Sequence, residues 1–325
     1  MATPRPEFGL LLHTRHLMRE NTGRSDLEEF WRNASRAEEM GFAHLWVGDS
    51  PRLSFLDRAH ADCLTVMAAL AAKTNQVRIG VVPLVPALRN PVLLAHQLAT
   101  LDVISEGRTL IGVSVGPQYR YAEREFEACG VPFHEKAGRL SESIRLMRRL
   151  WTEESFVFEG RYYRFAEIGI QPKPIQRPIP IWIAAADNEK ALRRVARLGD
   201  GWFTVAHTAD QFVLRRKKVD AYAREYGRAN KVTASALFAS FHLGASGDAA
   251  KEEGWDFAER YFLQPRSSLK HLCAFFGSPE ECAERLKGYV EAGLSAIVAR
   301  IVAPSPEEQM RLLLEELRPR LSGLG

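Results

Sequence analysis

Short runs of apolar residues alternate along the chain with longer segments whose apolar residues recur at helical spacing. The short runs predict β-strands buried on both faces, and the longer segments predict amphipathic helices. Thr109–Val115, for example, is almost wholly apolar, whereas the segment from Glu135 to Trp151 places its apolar residues on one stripe. Eight strands are predicted, over Phe8–His13, His44–Gly48, Val77–Val82, Thr109–Val115, Ile179–Ala185, Gly201–Ala206, Thr233–Leu243 and Ser295–Val302.

Helix-capping signals follow these strands. The tetrapeptide SPEE occurs at 278–281 and again at 305–308. It combines an N-cap serine, a proline at the first helical position and a glutamate at the third, so it predicts two helix starts. Asn90-Pro91 predicts a further start in the same way. Helices are predicted over about 25–40, 62–74, 91–104, 135–151, 188–198 and 210–226, and from 278 and 305 onward.

Two segments interrupt the alternation. Residues 155–165 alternate in polarity around Glu159-Gly160 and predict a hairpin, and residues 244–277 are irregular, with one helix predicted over Ala249–Phe262. Eight strand–helix units with two insertions predict an α/β fold, a (β/α)₈ TIM barrel that occupies residues 1–325 as a single domain. A doubly wound sheet is the alternative, but no strand is followed by the G-x-G-x-x-G loop that would favour it.

Composition narrows the possible partners. The 325 residues include 44 Lys and Arg against 40 Asp and Glu, and a net charge of +4 is too small to favour nucleic acid as the main partner. Four scattered cysteines form no C-x-x-C pair and fit no zinc template, so no metal site is predicted and a reducing cytoplasm is favoured. No apolar stretch has the length of a membrane span.

The active site of such a barrel lies at the carboxyl ends of its strands. These ends offer no glycosidase-like pair of carboxylates, no metal cluster and no Ser–His–Asp set. A mostly apolar strand-end surface suits a large planar cofactor that carries the reactivity itself. The predicted strand-end residues are His13, Arg15, Asp49, Ser50, Val82, Pro83, Leu84, Ser114, Gly116, Gln118, Ala184, Ala185, Ala186, Thr204, His207, His242 and Arg300.

Several motifs, in a fixed order, resemble the bacterial-luciferase-like superfamily of flavin- and deazaflavin-dependent oxidoreductases. The most specific motif runs from Arg89-Asn90-Pro91 through Thr100-Leu101-Asp102 to Gly107-Arg108. Further matches are AEEMGFAHLWVGD at 37–49, PIPIWIA at 178–184 and ALRRVARLGDGWF at 191–203. The resemblance spans roughly residues 8–321 and implies a (β/α)₈ barrel.

The superfamily has two branches that differ in cofactor. One uses reduced FMN and dioxygen as a monooxygenase, and the other uses coenzyme F420 and transfers hydride without oxygen. Asp49 is similar to the aspartate of the F420 branch, and the C-terminal stretch resembles its sugar dehydrogenases and pterin reductases. The resemblance therefore implies an F420-dependent reductase that acts on a C=C, C=N or C=O group. A two-component FMNH₂-dependent monooxygenase and a non-catalytic paralogue without cofactor are the alternatives.

The resemblance also implies roles for single residues. Asp49 would hydrogen-bond the ring system. Independently of the resemblance, His13 at the end of strand one is expected to supply a proton, because histidine suits proton transfer. Val82-Pro83 would form a bulge with a cis peptide behind the ring, and Leu84 would line the ring edge. Ala184, Ala185 and Ala186 would present backbone N–H groups to the cofactor phosphate. Ser114 and Thr204 are also assigned to the cofactor, and Gln118, Tyr119 and His207 are assigned to the substrate pocket.

Two departures from the family pattern stand out. Pro117 occupies the position of a glutamate acid in the F420-dependent sugar dehydrogenases, which makes sugar oxidation doubtful. Asp187 lies in a phosphate loop that is glycine-rich in many members, and it is expected to turn away as the N-cap of helix 188–198. The resemblance further implies a homodimer, formed through helices beside strands two and three, and a separate reductase that regenerates the reduced cofactor.

Overall fold

The structure of the protein, a computed structural model, describes residues 5–14, 24–49, 61–116 and 122–321, with side chains 24–26 not described. The strands are β1 Glu7–Leu11, β2 His44–Val47, β3 Arg78–Leu84, β4 Thr109–Val113, β5 Phe156–Glu159, β6 Arg164–Ile168, β7 Ile181–Ala184, β8 Gly201–Thr204, β9 Ala234–Leu243, β10 Ala274–Gly277 and β11 Ala296–Ile301. The helices are α1 Arg24–Met40, α2 Cys63–Lys73, α3 Pro91–Ile104, α4 Ala122–Ala128, α5 Lys136–Thr152, α6 Glu189–Leu198, α7 Ala209–Glu225, α8 Gly247–Phe262, α9 Pro279–Glu291 and α10 Pro306–Arg311, which continues as a π-helical segment, Leu312–Leu317, and ends at α11, Arg318–Arg320.

The chain forms two compact units that are each discontinuous in sequence. The first unit comprises residues 1–12, 33–45 and 185–325, and the second comprises residues 13–32 and 46–184. In the first unit, β8, β9, β11 and β1 pair in parallel in that order. In the second unit, β3, β4 and β7 pair in parallel in that order. A helix follows each strand except the hairpin strands β5 and β6, so the fold is a (β/α)₈ barrel and the doubly wound alternative is wrong.

Large aromatic side chains fill the core of each unit. In the second unit the buried indole of Trp46 lies 5.7 Å from that of Trp182. Gly80 makes room for it, because a Cβ at this position would stand 2.3 Å from the Trp46 ring. In the first unit Trp202 stacks on Phe212 at 5.3 Å between ring centroids. These contacts explain why the strands are nearly continuous apolar runs.

The predicted helix starts are confirmed. Helix α9 begins at Pro279, and Ser278 and Glu281 form the complete capping box. Helix α10 begins at Pro306, although the Ser305 side chain makes no capping hydrogen bond. Asn90 caps α3 by accepting hydrogen bonds from the N–H groups of Val92 and Leu93.

Both predicted insertions are present. Strands β5 and β6 form the hairpin, and the buried Glu142 carboxylate of α5 accepts hydrogen bonds from three consecutive N–H groups, those of Arg161, Tyr162 and Tyr163, at 2.8–2.9 Å. The segment 244–277 holds α8 as predicted and also a strand that the sequence did not reveal, β10, which pairs with the last residues of β9. Within the described ranges no helix has both the length and the apolar character needed to cross a membrane.

Candidate active site

Strand β3 of the second unit ends in a bulge at the position expected for the cofactor ring. The Val82–Pro83 peptide is cis, and the register with β4 shifts between Val81 and Leu84. Both features confirm what the resemblance implied. Beyond the bulge, the carbonyl of Leu84 accepts a hydrogen bond from the N–H of Ser114 at 2.8 Å. The Ser114 hydroxyl oxygen in turn accepts from the N–H of Gly116 at 3.1 Å.

A buried ion pair supports this bulge from behind. Arg89 donates two hydrogen bonds to the Asp49 carboxylate, Nη1 to Oδ2 at 2.8 Å and Nη2 to Oδ1 at 2.9 Å. The N–H of Val85 donates to the same carboxylate at 2.9 Å, and the Cys63 thiol lies 3.5 Å from Oδ1. The Asp49 side chain is only 2% exposed. We call this group the Asp49 cluster: Asp49, Arg89, Cys63 and the Val85 backbone.

The electrostatics of the Asp49 cluster fix its protonation state. Burial alone would lower the pKa of Arg89, but the hydrogen bonds and charge of Asp49 outweigh it and raise that pKa above its usual range. Burial, together with the charge of Asp49, raises the pKa of the Cys63 thiol well above its usual value. The cluster therefore holds a charged guanidinium and a neutral thiol at physiological pH.

Both Asp49 oxygens are already engaged within the cluster. Its observed contacts hold the backbone that follows the bulge, and a direct contact of Asp49 with a cofactor ring stays a prediction. The sequence did not reveal the partner role of Arg89, which reads equally well as a surface residue before α3. The available signal was the pairing of a strand-end aspartate with the arginine of the Arg89-Asn90-Pro91 motif.

The predicted phosphate loop of the first unit is partly wrong. The N–H of Ala185 donates to the carbonyl of Phe203 at 2.9 Å, as in a strand, so it is not free to bind a phosphate. Ala186 is exposed, and Ala184 is the last residue of β7 in the second unit.

The start of α6 also differs from the prediction. The N-cap is Asn188, whose side chain accepts from the N–H of Ala191, and not Asp187. The Asp187 carboxylate instead faces Arg215, with Oδ1 3.8 Å from Nε. The expectation that Asp187 turns away from the loop stands, but its partner is a side chain of α7 and not a helix terminus.

Thr204 carries a buried oxygen without a partner. It ends β8, is 2% exposed, and its Oγ1 makes no hydrogen bond to any described residue. A buried hydroxyl that lacks a partner costs free energy, and in native proteins it usually has a specific explanation, such as a catalytic role or a bound water or ion. Thr204 is therefore the strand-end residue of the first unit that best fits the assigned contact with a cofactor.

The structure does not test the roles predicted for His13, His207, Gln118 and Tyr119. His13 follows β1 by two residues and is half-buried, and its role as a proton donor stays a prediction. His207 lies beyond β8 with much of its side chain exposed, and the partial burial of its ring, together with the charges of Arg215 and His271, lowers its pKa. Gln118 and Tyr119 lie outside the described residues, as do Arg15 and Ser50. No cluster of metal-ligating side chains occurs in the part of the chain that the structure describes.

A cavity of about 610 Å³ opens in the first unit beside the end of β8 and the start of β10. Its lining combines three cationic side chains with one aromatic and several small or apolar ones. We call it the basic cavity; it is lined by His207, Trp255, Arg266, Ser267, Lys270, Leu272, Ala274 and Arg285.

Comparison with known proteins supplies the family context. A family model described as luciferase-like monooxygenase matches residues 6–296. The F420-dependent glucose-6-phosphate dehydrogenase of Amycolatopsis mediterranei (strain U-32) is 27% identical over 334 residues, which cover 94% of this chain and 97% of that protein.

Solved structures share the fold. Monooxygenase RslO1 from Streptomyces bottropensis superposes with a TM-score of 0.81 at 26% identity, covering 96% of this chain and 99% of that chain. An F420-dependent secondary alcohol dehydrogenase, in complex with an F420–acetone adduct, superposes with a TM-score of 0.79 at 21% identity, covering 98% and 99% of the two chains. At the lower identity the likeness shows the fold alone.

Proposed function

Because the chain belongs to the luciferase-like monooxygenase family, we propose that it is an oxidoreductase that uses coenzyme F420 and reduces a C=C, C=N or C=O group of a small organic substrate. The observation that carries the proposal is the similarity, over nearly the full length of both chains, to an F420-dependent dehydrogenase. The sugar phosphate named for that relative is not carried over, because Pro117 stands where the resemblance places a glutamate acid.

The second unit offers a rigid surface suited to one face of a planar ring. The bulge at Val82–Leu84 is held by the Asp49 cluster on one side and by Ser114 on the other. At Gly48 a Cβ would meet only the Val82 carbonyl within 4 Å, at 3.9 Å, so there is space above the end of β2. The bulge and Ser114 support the cofactor roles proposed for Val82, Pro83 and Ser114. Leu84 is fully buried, so its proposed role at the ring edge rests on the resemblance alone.

The first unit, taken by itself, offers a buried polar group to a cofactor. The Thr204 hydroxyl is buried and lacks a partner among the described residues, so it would gain a hydrogen bond on cofactor binding. Reduced coenzyme F420, when bound, would supply the hydride, and it reacts poorly with dioxygen. His13 is proposed to deliver the proton that reduction requires, because histidine as a residue type is suited to proton transfer near neutral pH.

A monooxygenase that uses reduced FMN is the second candidate, and the resemblance to monooxygenase RslO1 favours it. A spectrally monitored titration separates the two. We expect the absorbance of F420 to shift on binding, with a dissociation constant well below that of FMN. Tight FMN binding without F420 binding would refute the proposal. If neither cofactor raised the melting temperature, the chain would be a non-catalytic paralogue, because a ligand at 100 times its Kd stabilises by about 2.7 kcal/mol.

We also propose a cytoplasmic homodimer that is served by a separate reductase. The four cysteines are free thiols, as is usual in a reducing compartment. Helix α3 buries Leu94 and Leu98 but leaves Leu93 and Ile104 more than half exposed, which supports α3 as part of the dimer surface. Sedimentation velocity tests the dimer: we expect Leu93→Glu to give a monomer, and an unchanged dimer would contradict this surface.

A further inference from the structure

The basic cavity lies where a barrel enzyme binds its substrate, at the carboxyl end of a parallel strand. His207 lies beyond the end of β8, and Leu272 and Ala274 lie at the start of β10, which pairs with the last residues of β9. Helix α8 contributes Trp255, whose ring packs against Phe276 at 5.1 Å between centroids. The Arg266 guanidinium lies 4.8 Å from the centroid of the same ring, so the cavity has an aromatic wall with a cation against it.

Two of the three cations that line the cavity form no ion pair with a described residue. Arg266 is paired with Glu252, at 3.3 Å. Lys270 forms no ion pair with any described residue, and the same is true of Arg285. The Arg285 guanidinium donates to the carbonyl of Ala274 at 2.8 Å and lies over the Phe275 ring. The cavity thus keeps two positive charges available to a ligand.

In a second surface cavity of the same unit, by contrast, the cationic side chains are paired with carboxylates. It encloses about 370 Å³ and is lined by two arginines and four glutamates. Arg36 there pairs with Glu39 and Glu307, and Arg311 pairs with Glu315. Its cations are satisfied by neighbouring carboxylates, so nothing in it recruits an anion.

We propose that the basic cavity binds the anionic group, a phosphate or a carboxylate, of an organic substrate whose apolar skeleton packs on Trp255 and Leu272. This inference rests on the proposed function, because only an enzyme has a substrate to bind here. Lys270 and Arg285 supply the charge, and the Ser267 hydroxyl supplies a neutral donor. A small aromatic or aliphatic phosphate or carboxylate fits both parts of the lining.

The first test is binding by calorimetry, without any cofactor, with phenyl phosphate, benzoate, inorganic phosphate and glucose 6-phosphate as probes. We expect phenyl phosphate or benzoate to bind most tightly, and the tighter of the two identifies the anionic group. Stronger binding of glucose 6-phosphate would overturn the apolar-skeleton part. Absence of binding by all four probes would overturn the site.

Variants locate the binding. Lys270→Ala and Arg285→Ala should each weaken the best probe about tenfold, the loss of roughly one charge-assisted hydrogen bond. Lys231→Ala removes an exposed lysine of the same unit that lies outside the cavity, and it should leave the affinity unchanged. Lys270 is exposed, so its replacement tests the site even if Arg285→Ala fails to fold. Equal affinity of Lys270→Ala and the unaltered protein would refute the assignment.

A last titration separates this inference from the proposed function. F420 is titrated with and without saturating phenyl phosphate, and we expect both to bind together. Competition would assign the cavity to the acidic part of the cofactor and overturn the substrate assignment. If F420 binds and no anionic probe does, the proposed function stands and the inference is refuted. If an anionic probe binds and F420 does not, the anion site stands and the proposed function is refuted.

Discussion

The Asp49 cluster of the second unit and the basic cavity of the first unit use charge in opposite ways. In the cluster, both oxygens of a carboxylate that is 2% exposed are filled by a guanidinium, a backbone N–H and a thiol. In the cavity, Lys270 and Arg285 have no ion-pair partner among the described residues. The Asp49 carboxylate therefore has both oxygens occupied, whereas the basic cavity keeps two cationic side chains that can bind a ligand.

This difference separates support from recognition. A buried ion pair is tolerated only when each charged group is fully hydrogen-bonded, and these hydrogen bonds make the geometry rigid. The cluster therefore suits the task of holding the backbone at Val85 beside the cis Val82–Pro83 bulge. Solvated cations that lack partners contribute little to folding, but they can attract an anion. Charge pairing thus predicts which replacements affect stability and which affect binding.

The largest effect is expected when the cluster is broken. Arg89→Met leaves the Asp49 carboxylate buried without its counter-ion, which should lower the free energy of unfolding by about 3–5 kcal/mol. Urea denaturation measures this loss. Thiol labelling adds a local readout, because Cys63 should become reactive before global unfolding.

Two further variants serve as controls for this prediction. Arg36→Ala removes one arginine from an exposed ion pair with Glu307 and should cost far less. Asp49→Asn combined with Arg89→Met removes both charges and should recover part of the stability. If the double variant were no more stable than Arg89→Met, the unpaired carboxylate would not be the cause of the loss.

The next largest effect concerns another satisfied carboxylate of the second unit. Glu142→Gln replaces the anion that accepts three backbone N–H groups of the hairpin loop. The glutamine side chain carries no charge to strengthen these hydrogen bonds, and its NH₂ group needs acceptors at a buried position. We therefore expect the free energy of unfolding to fall by about 2 kcal/mol. Hydrogen exchange should show faster opening of 161–163 than of β4. Uniform acceleration through both segments would argue that Glu142 supports the whole unit.

The sequence predicted the fold well because the fold depends on short-range pattern. Apolar runs, glycine stops and the SPEE caps are local signals, and they located all eight barrel strands and the hairpin. Strand β10 was missed because it has only four residues within an irregular segment and is defined by pairing with β9. Pairing across 30 residues leaves no periodicity to detect.

The site was predicted less completely, because its geometry depends on partners distant in sequence. Asp49 was identified at a strand end, but its engagement by Arg89, 40 residues away, appears only in three dimensions. Ala185 was expected to face a phosphate, yet its N–H belongs to the strand ladder with Phe203. The cis peptide at Val82–Pro83 was predictable, because a local X–Pro sequence and a family motif coincide there.

A smaller effect, of opposite sign, is expected at Thr204. Thr204→Val removes a buried hydroxyl that has no partner, so the protein without cofactor should gain up to about 1 kcal/mol of stability. If Oγ1 contacts the cofactor, F420 affinity should fall about tenfold in the same variant. Ser143→Ala is the matched control, because Ser143 on α5 is also buried with an unpartnered oxygen but lies away from the strand ends. Equal F420 affinity in all three proteins would remove Thr204 from the site.

The smallest effect on stability is expected in the basic cavity. Lys270→Ala should change the free energy of unfolding by less than about 0.5 kcal/mol, since exposed residues away from specific contacts contribute little to folding. Its effect on anion binding should meanwhile be clear at low ionic strength and shrink as salt screens the charge. Urea denaturation and calorimetry at two salt concentrations measure both quantities on one variant. A loss of stability above about 1 kcal/mol would mean that Lys270 supports the fold as Arg89 does, and the contrast between the two regions would no longer hold.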